Sequence, residues 1–179
     1  MRVISGSARG KKLMCAENND IRPTLDRVKE SVFNMIAFDI PEANVLDLFS
    51  GSGALGIEAL SRGASHCTFI DNSSSSLDVT KKNLDATHLT ESASVVLCDS
   101  IEFINKTDKK FDIIFIDPPY ESDLYEKSLS AILNSKILSD CGFIVLEYDT
   151  VITPTFDTSG YEILKDKKYG RVKILIMKA

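Results

Sequence analysis

The sequence predicts an α/β domain: a mostly parallel β-sheet with helices on both faces. Three observations predict it. Short runs rich in Val, Ile and Phe alternate with stretches of helical spacing between residues 45 and 147, which is the rhythm of successive βα units. A glycine turn, Gly51-Ser52-Gly53-Ala54-Leu55-Gly56, joins the first of these strands to its helix. The chain of 179 residues is 44% hydrophobic, enough to fill one sizeable core.

Arg2-Val3-Ile4 and Lys11-Lys12-Leu13-Met14 flank a Gly/Ser turn and read as a small basic hairpin ahead of the main domain. After a polar loop, Thr24 is placed to cap a helix in which Leu25, Val28, Val32, Met35 and Ile36 share one face; Pro41 closes it. Val45 to Phe49 is the first strand of the alternating region, and Ala54 to Arg62 is its helix, with Gly63 past the end. His66 to Ile70 is the next strand. Ser73 to Ser76 then supply a cap for a helix through Leu77 to Leu84.

Val95 to Leu97 and Phe111 to Ile116 are two further strands around a short helix, Ile101 to Asn105. A helix containing Leu124, Leu129, Ile132 and Leu133 precedes a fifth strand, Gly142 to Glu147. The rhythm then breaks. Tyr161 to Leu164 and Arg171 to Met177 are joined only by Lys165 to Gly170, a link too short for a crossover helix, so these two strands form an antiparallel hairpin.

No apolar run approaches the length of a membrane span, and the opening segment lacks a signal-peptide core. A soluble, cytoplasmic protein is expected. Cys15, Cys67, Cys98 and Cys141 stand far apart, with His66 and His88 isolated from them; reduced, mostly buried thiols are expected rather than zinc or disulfides. The formal net charge of −5 is segregated. Residues 1 to 30 hold seven Lys/Arg against four Asp/Glu, and residues 161 to 179 hold six against two. A polyanion can dock on such a chain if both basic ends lie beside its pocket, because phosphate contacts are local.

Two motifs carry chemistry. Gly51, Gly53 and Gly56 spell G-x-G-x-x-G, and Asp71 ends the following strand where a ribose-binding acid would sit. By spacing alone a nicotinamide dinucleotide fits, and with it an oxidoreductase. Asp47 argues otherwise: directly ahead of the loop, its charge is unhelpful beside a pyrophosphate and useful beside an ammonium. S-adenosylmethionine has that ammonium, a ribose and no phosphate. Asp99-Ser100 follows the next strand and reaches the same crevice, where Asp99 either accepts from an adenine amino group or caps a helix.

Asp117-Pro118-Pro119-Tyr120 follows the strand Phe111 to Ile116. The prolines lack N–H donors and fix φ, which frees their carbonyls and aims Asp117 and Tyr120 beyond the strand. A carboxylate, a proline carbonyl and a tyrosine ring together match a flat base that bears an amino group. Adenine N6, cytosine N4 or a protein glutamine amide would suit the same turn.

Arg22-Pro23-Thr24 with Asp26 to Glu30, Asp47 to Gly56 with Glu58 to Ala64, and Asp117 to Tyr120 are together similar to the bacterial RsmD-type 16S rRNA guanine-N2 methyltransferases. The glycine loop is shared by many methyltransferases; the Arg-Pro-Thr segment joined to Asp-Pro-Pro-Tyr is far more selective. The resemblance spans nearly the whole chain. It implies a Rossmann-like, seven-stranded S-adenosylmethionine-dependent methyltransferase sheet with its last strand antiparallel, over residues 21–179, and residues 1–20 as a basic hairpin appendage. It implies that Asp47, Phe49, Gly51, Gly53, Asp71, Asp99 and Ser100 line the S-adenosylmethionine site. Asp117, Pro118, Pro119 and Tyr120 would hold guanine. Arg2, Arg9, Lys11, Lys12, Arg22, Lys168 and Arg171 are the expected contacts to 16S rRNA, within a small ribosomal subunit or an assembly intermediate, for an enzyme that acts as a monomer. Family members often carry more basic residues where this chain has Ser5, Ser7 and Ala8.

Overall fold

A computed structural model describes residues 1–15, 23–119, 123–150 and 156–179 of the chain. Seven strands form one sheet: β1 (Asn44–Asp47), β2 (His66–Asp71), β3 (Ala93–Leu97), β4 (Phe111–Ile116), β5 (Leu138–Asp149), β6 (Glu162–Tyr169) and β7 (Val172–Lys178). Their spatial order is β3-β2-β1-β4-β5-β7-β6. β1 to β5 run parallel to one another. β7 is antiparallel to both β5 and β6, as expected for the last strand.

The helices are α1 (Pro23–Met35), α2 (Ala54–Ser61), α3 (Ser74–Thr87), α4 (Ser100–Lys106) and α5 (Leu124–Ser135). The pleat divides the strands' apolar residues between two cores. Val45, Phe69, Ile113, Phe115, Phe143, Val145 and Ile174 meet α1, α2 and Leu84 of α3 on one face. Leu46, Ile70, Ile114, Ile116, Ile144, Leu146 and Leu175 meet α4 and α5 on the other. Ser73 caps α3 by accepting from the Ser76 N–H at 3.3 Å. α1 begins at Pro23 and takes in Thr24, which the sequence places ahead of the helix.

The opening segment pairs as a single antiparallel bridge, Arg2 to Lys12, and its Val3, Ala8 and Leu13 are buried in the first core. Its backbone is bound by α2. The Ile4 and Ser5 N–H groups donate to the two oxygens of Glu58 at 2.8 and 3.0 Å. Ser61 Oγ accepts from Ala8 N and donates to the Ser5 carbonyl. Gly6 has a φ of +85°, and a Cβ there would fall 1.7 Å from the Ser61 carbonyl oxygen, so only glycine fits this approach.

Three expectations are corrected. β6 runs through Tyr169, so Lys165 to Lys168 are strand and the β6–β7 turn is only Gly170-Arg171. These lysines face water along the sheet's outer edge, where a strand needs no apolar residues and lysine discourages further pairing. β5 starts at Leu138, before Gly142, and its register against β4 shifts between Leu138 and Phe143. Only Cys67 among the four free cysteines is buried; Cys15 and Cys98 are half-buried and Cys141 is exposed.

Candidate active site

From β1 the sheet grows outward through β2 to β3, and from β4 it grows the other way to β5. The connections after β1 and β4 therefore part at the carboxyl edge of the sheet and leave a crevice, the usual ligand position in such folds. The glycine loop crosses this point. Gly51 and Gly53 have φ values of 52° and 77°, the left-handed region that favours glycine. A Cβ on Gly51 would meet nothing within 4 Å, whereas one on Gly56 would lie 2.3 Å from Phe69 Cε1. The first glycine fronts open space; the third lets α2 lie close on β2.

The loop is also held from behind. Gly51 N donates to Asp71 Oδ2 at 2.9 Å, Thr80 Oγ1 donates to the Gly51 carbonyl at 2.9 Å, and Asn83 Nδ2 donates to the Ser52 carbonyl at 2.8 Å. Asn83 is fully buried and also exchanges both backbone bonds with Met14, at 2.8 and 2.9 Å. One side chain thus joins the opening segment to the glycine loop. Periodicity could not find Thr80 or Asn83, since both read as polar helix positions.

The predicted acids converge on this edge. Asp47 ends β1, buried, and its Oδ2 accepts from Gly56 N at 3.0 Å. Burial raises its carboxyl to about 7; the Gly56 hydrogen bond opposes the rise, and the charges of Asp117 and Asp71 add to it. Asp71 accepts from Gly51 N with one oxygen and from Ser73 N with the other, both at 2.9 Å. Asp117 follows β4 directly, and burial raises it to about 6. Pro118 is buried and Pro119 exposed. Asp99 caps α4, its Oδ1 accepting from Ile101 N and Glu102 N at 2.9 Å, and leaves its second oxygen outside those bonds. Ser100 is buried at the start of α4, and half-buried Phe49 packs on the second core. Tyr120 and Arg22 lie outside the described residues.

A further acid stands at this edge. Glu147 of β5 is one residue past the pair Ile116–Leu146, which puts it level with Asp117. Its signal in the sequence is an acid closing the apolar run Phe143 to Leu146.

The predicted basic contacts fall into two groups. Arg9, Lys11, Lys12 and Lys168 are exposed. Arg2 and Arg171 are exposed too, but Arg2 faces Asp26 at 3.6 Å and Arg171 pairs with Asp149 at 2.8 Å. The β6–β7 turn stands at the carboxyl end of β5, because Val172 pairs with Asp149. It therefore shares the edge that carries the acids. No group of three or more His, Cys, Asp or Glu among the described residues could hold a metal ion.

Known proteins share this fold. The model of the Conserved hypothetical protein 95 family matches residues 1–178. The Bacillus subtilis protein YlbH is 39% identical over 99% of this chain and 98% of its own length. Ribosomal RNA small subunit methyltransferase D of Haemophilus influenzae is 35% identical over 96% of this chain and 90% of its own. The solved yhhF structure from Escherichia coli superposes with a TM-score of 0.87 at 32% identity, covering 99% of this chain and 96% of that one. The chain belongs to the Conserved hypothetical protein 95 family, which holds the RsmD-type ribosomal RNA small subunit methyltransferases.

Proposed function

We propose that this chain transfers a methyl group from S-adenosylmethionine to the exocyclic N2 amino group of a guanine in 16S rRNA. The observation that carries the reading is the placement of Asp47 and Asp117 at the carboxyl ends of the adjacent parallel strands β1 and β4, where Asp47 stands opposite Phe115, two residues before Asp117. One acid suits a bound ammonium and its neighbour suits an amine that must be held beside it. Asp47 also has no cation partner among the described residues, and the open space at Gly51 leaves room for a ligand against the loop. This donor set fits S-adenosylmethionine and disfavours a pyrophosphate. Asp47 would hold the ammonium, Asp71 the ribose hydroxyls, and Asp99 with Ser100 the adenine. When bound, the cofactor supplies a methyl on sulfonium: the N–C bond forms as the C–S bond breaks, and the electron pair leaves on sulfur.

The chain's own residues prepare the amine. A guanine amino group is a poor nucleophile because its lone pair is delocalised into the ring. Asp117 and the Pro118 carbonyl accept its two N–H bonds, which favours a pyramidal nitrogen with a directed lone pair. The proton lost on methylation passes to Asp117 and then to water. The base must be unpaired or flipped to present this edge. The identity of the relatives as rRNA methyltransferases supports rRNA as the substrate class.

The test incubates the protein with radiolabelled S-adenosylmethionine and small ribosomal subunits from cells lacking this modification, then identifies the labelled nucleoside. Label in N2-methylguanosine is expected; label in another base or in protein sinks the reading. Asp117→Ala should abolish transfer and leave S-adenosylhomocysteine binding within about twofold by calorimetry, because Asp117 serves the amine and not the cofactor.

A further inference from the structure

Nothing in the packing asks for an acid at position 147. Glu147 continues the apolar run Phe143 to Leu146, and its partner across β7 is Ile174. Strand alternation sends its side chain to the Val145 face and that of Asp117 to the Phe115 face, which are one face of the sheet. Neighbouring strands lie about 4.8 Å apart, so two carboxyls at one level on β4 and β5 are in contact range. β4 lies between β1 and β5 in the sheet, which places Asp117 between Asp47 and Glu147.

No cation answers these acids among the described residues. Lys173 of β7 lies over the Tyr148 ring on the opposite face and pairs with Asp166. Lys29 and Arg62, from α1 and the end of α2, are taken by Glu58. Asp71 of β2 is spent on the glycine loop and Ser73. Two carboxyls this close do not both ionise cheaply; they titrate as a pair that holds one proton over a wide range. Burial, then the charge of Asp117, pushes Glu147 above the usual carboxyl range, and burial raises Asp117 as well. An acceptor for the amine must be ionised, so the one proton of the pair is assigned to Glu147.

We propose that Glu147 is a positioning residue that carries the single proton of an Asp117–Glu147 pair, leaving Asp117 ionised and oriented to accept from the substrate amine. This rests on the reading of Asp117 as the amine's acceptor. The neutral Glu147 carboxyl donates to one oxygen of Asp117 and turns the other toward the crevice. In each turnover the amine proton goes to Asp117 and on to water, and Glu147 keeps its own.

The experiment compares wild type, Glu147→Gln and Glu147→Ala for methyl transfer from about pH 5.5 to 9.5, where a pH–rate profile reports the pair's ionisations. Glutamine keeps a neutral donor, so kcat should stay within about threefold of wild type near neutral pH. Its alkaline limb should vanish, because the second proton of the pair is gone. Alanine should lose about tenfold or more in kcat with little change in the KM for S-adenosylmethionine. A Gln variant as inactive as Ala, or one whose profile matches wild type limb for limb, overturns the proposal. If the Ala variant does not fold, the Gln profile alone decides. Asp117→Ala, run alongside, separates the two ideas: retained transfer removes Asp117 itself, whereas lost transfer with a failed Gln prediction removes only Glu147.

Discussion

The Asp47 carboxyl gives up its water to the fold and receives one hydrogen bond from Gly56 in return. Its ordinary value is 3.8, and in the folded chain it stands at about 7. Between those values the native state holds a proton that the unfolded chain has lost, so stability falls as pH rises across this window and levels off above it. Asp117 acts in the same direction over a lower range, up to about 6. Asp47→Asn should remove about 1.4 kcal/mol per pH unit of that slope near pH 5.5. Urea unfolding at a series of pH values checks it; an unchanged slope would mean that Asp47 titrates normally. Wild-type affinity for S-adenosylhomocysteine should rise as Asp47 ionises through about pH 7, and the Asn variant should lose that rise.

At the scale of elements, Glu58 ties three pieces together from inside α2. Fully buried, it faces Lys29 of α1 at 3.1 Å and Arg62 at 2.8 Å, and it accepts the Ile4 and Ser5 backbone N–H groups. Burial lowers Lys29, and Glu58 counters that. Glu58→Ala leaves two cations and two N–H groups without their acceptor, and should cost about 3–5 kcal/mol of unfolding free energy; denaturant titration measures it. The sequence marks α2 plainly, since Ala54, Ile57, Ala59 and Leu60 are apolar and buried, yet gives Glu58 the look of a solvated position. Apolar periodicity reports which face of an element is covered and is silent about a polar group that meets partners far away in the chain. The same limit hid the full length of β6, whose exposed lysines resemble a loop, and the level placement of Glu147 beside Asp117. Asp47, Asp71 and Asp117 were legible because each ends an apolar strand run, and strand ends in a parallel sheet share one edge.

For the whole molecule, the charge segregation acquires a geometry. The opening segment reaches the glycine loop through Asn83, and the β6–β7 turn stands at the carboxyl end of β5. The Met14 end of the opening segment and the β6–β7 turn thus border the crevice that holds the acids, while the Gly6–Gly10 turn lies at the far end of α2. Neutralising Arg9, Lys11 and Lys12 together should flatten the dependence of log affinity on log salt by about 2 for single-stranded RNA, if each meets one phosphate. Filter binding from low to moderate salt tests it, and an unchanged slope would make the segment purely structural. Arg2 and Arg171, already facing Asp26 and Asp149, should contribute less.

The position of β7 in the sheet has a consequence for how the chain is made. Synthesis delivers β5 first and β6 second, yet these two never touch; the strand between them, Val172–Lys178, comes later than both. Until that segment leaves the ribosome, β5 offers an open edge with Ile144, Val145 and Leu146 along it, and β6 has nothing to pair with. The nascent protein therefore passes through a stage with unpaired strands, the kind of species that associates with other chains. Arrest of translation just short of residue 172 should yield a product that chaperones hold and proteases cut, while the chain continued through Lys178 closes its own sheet.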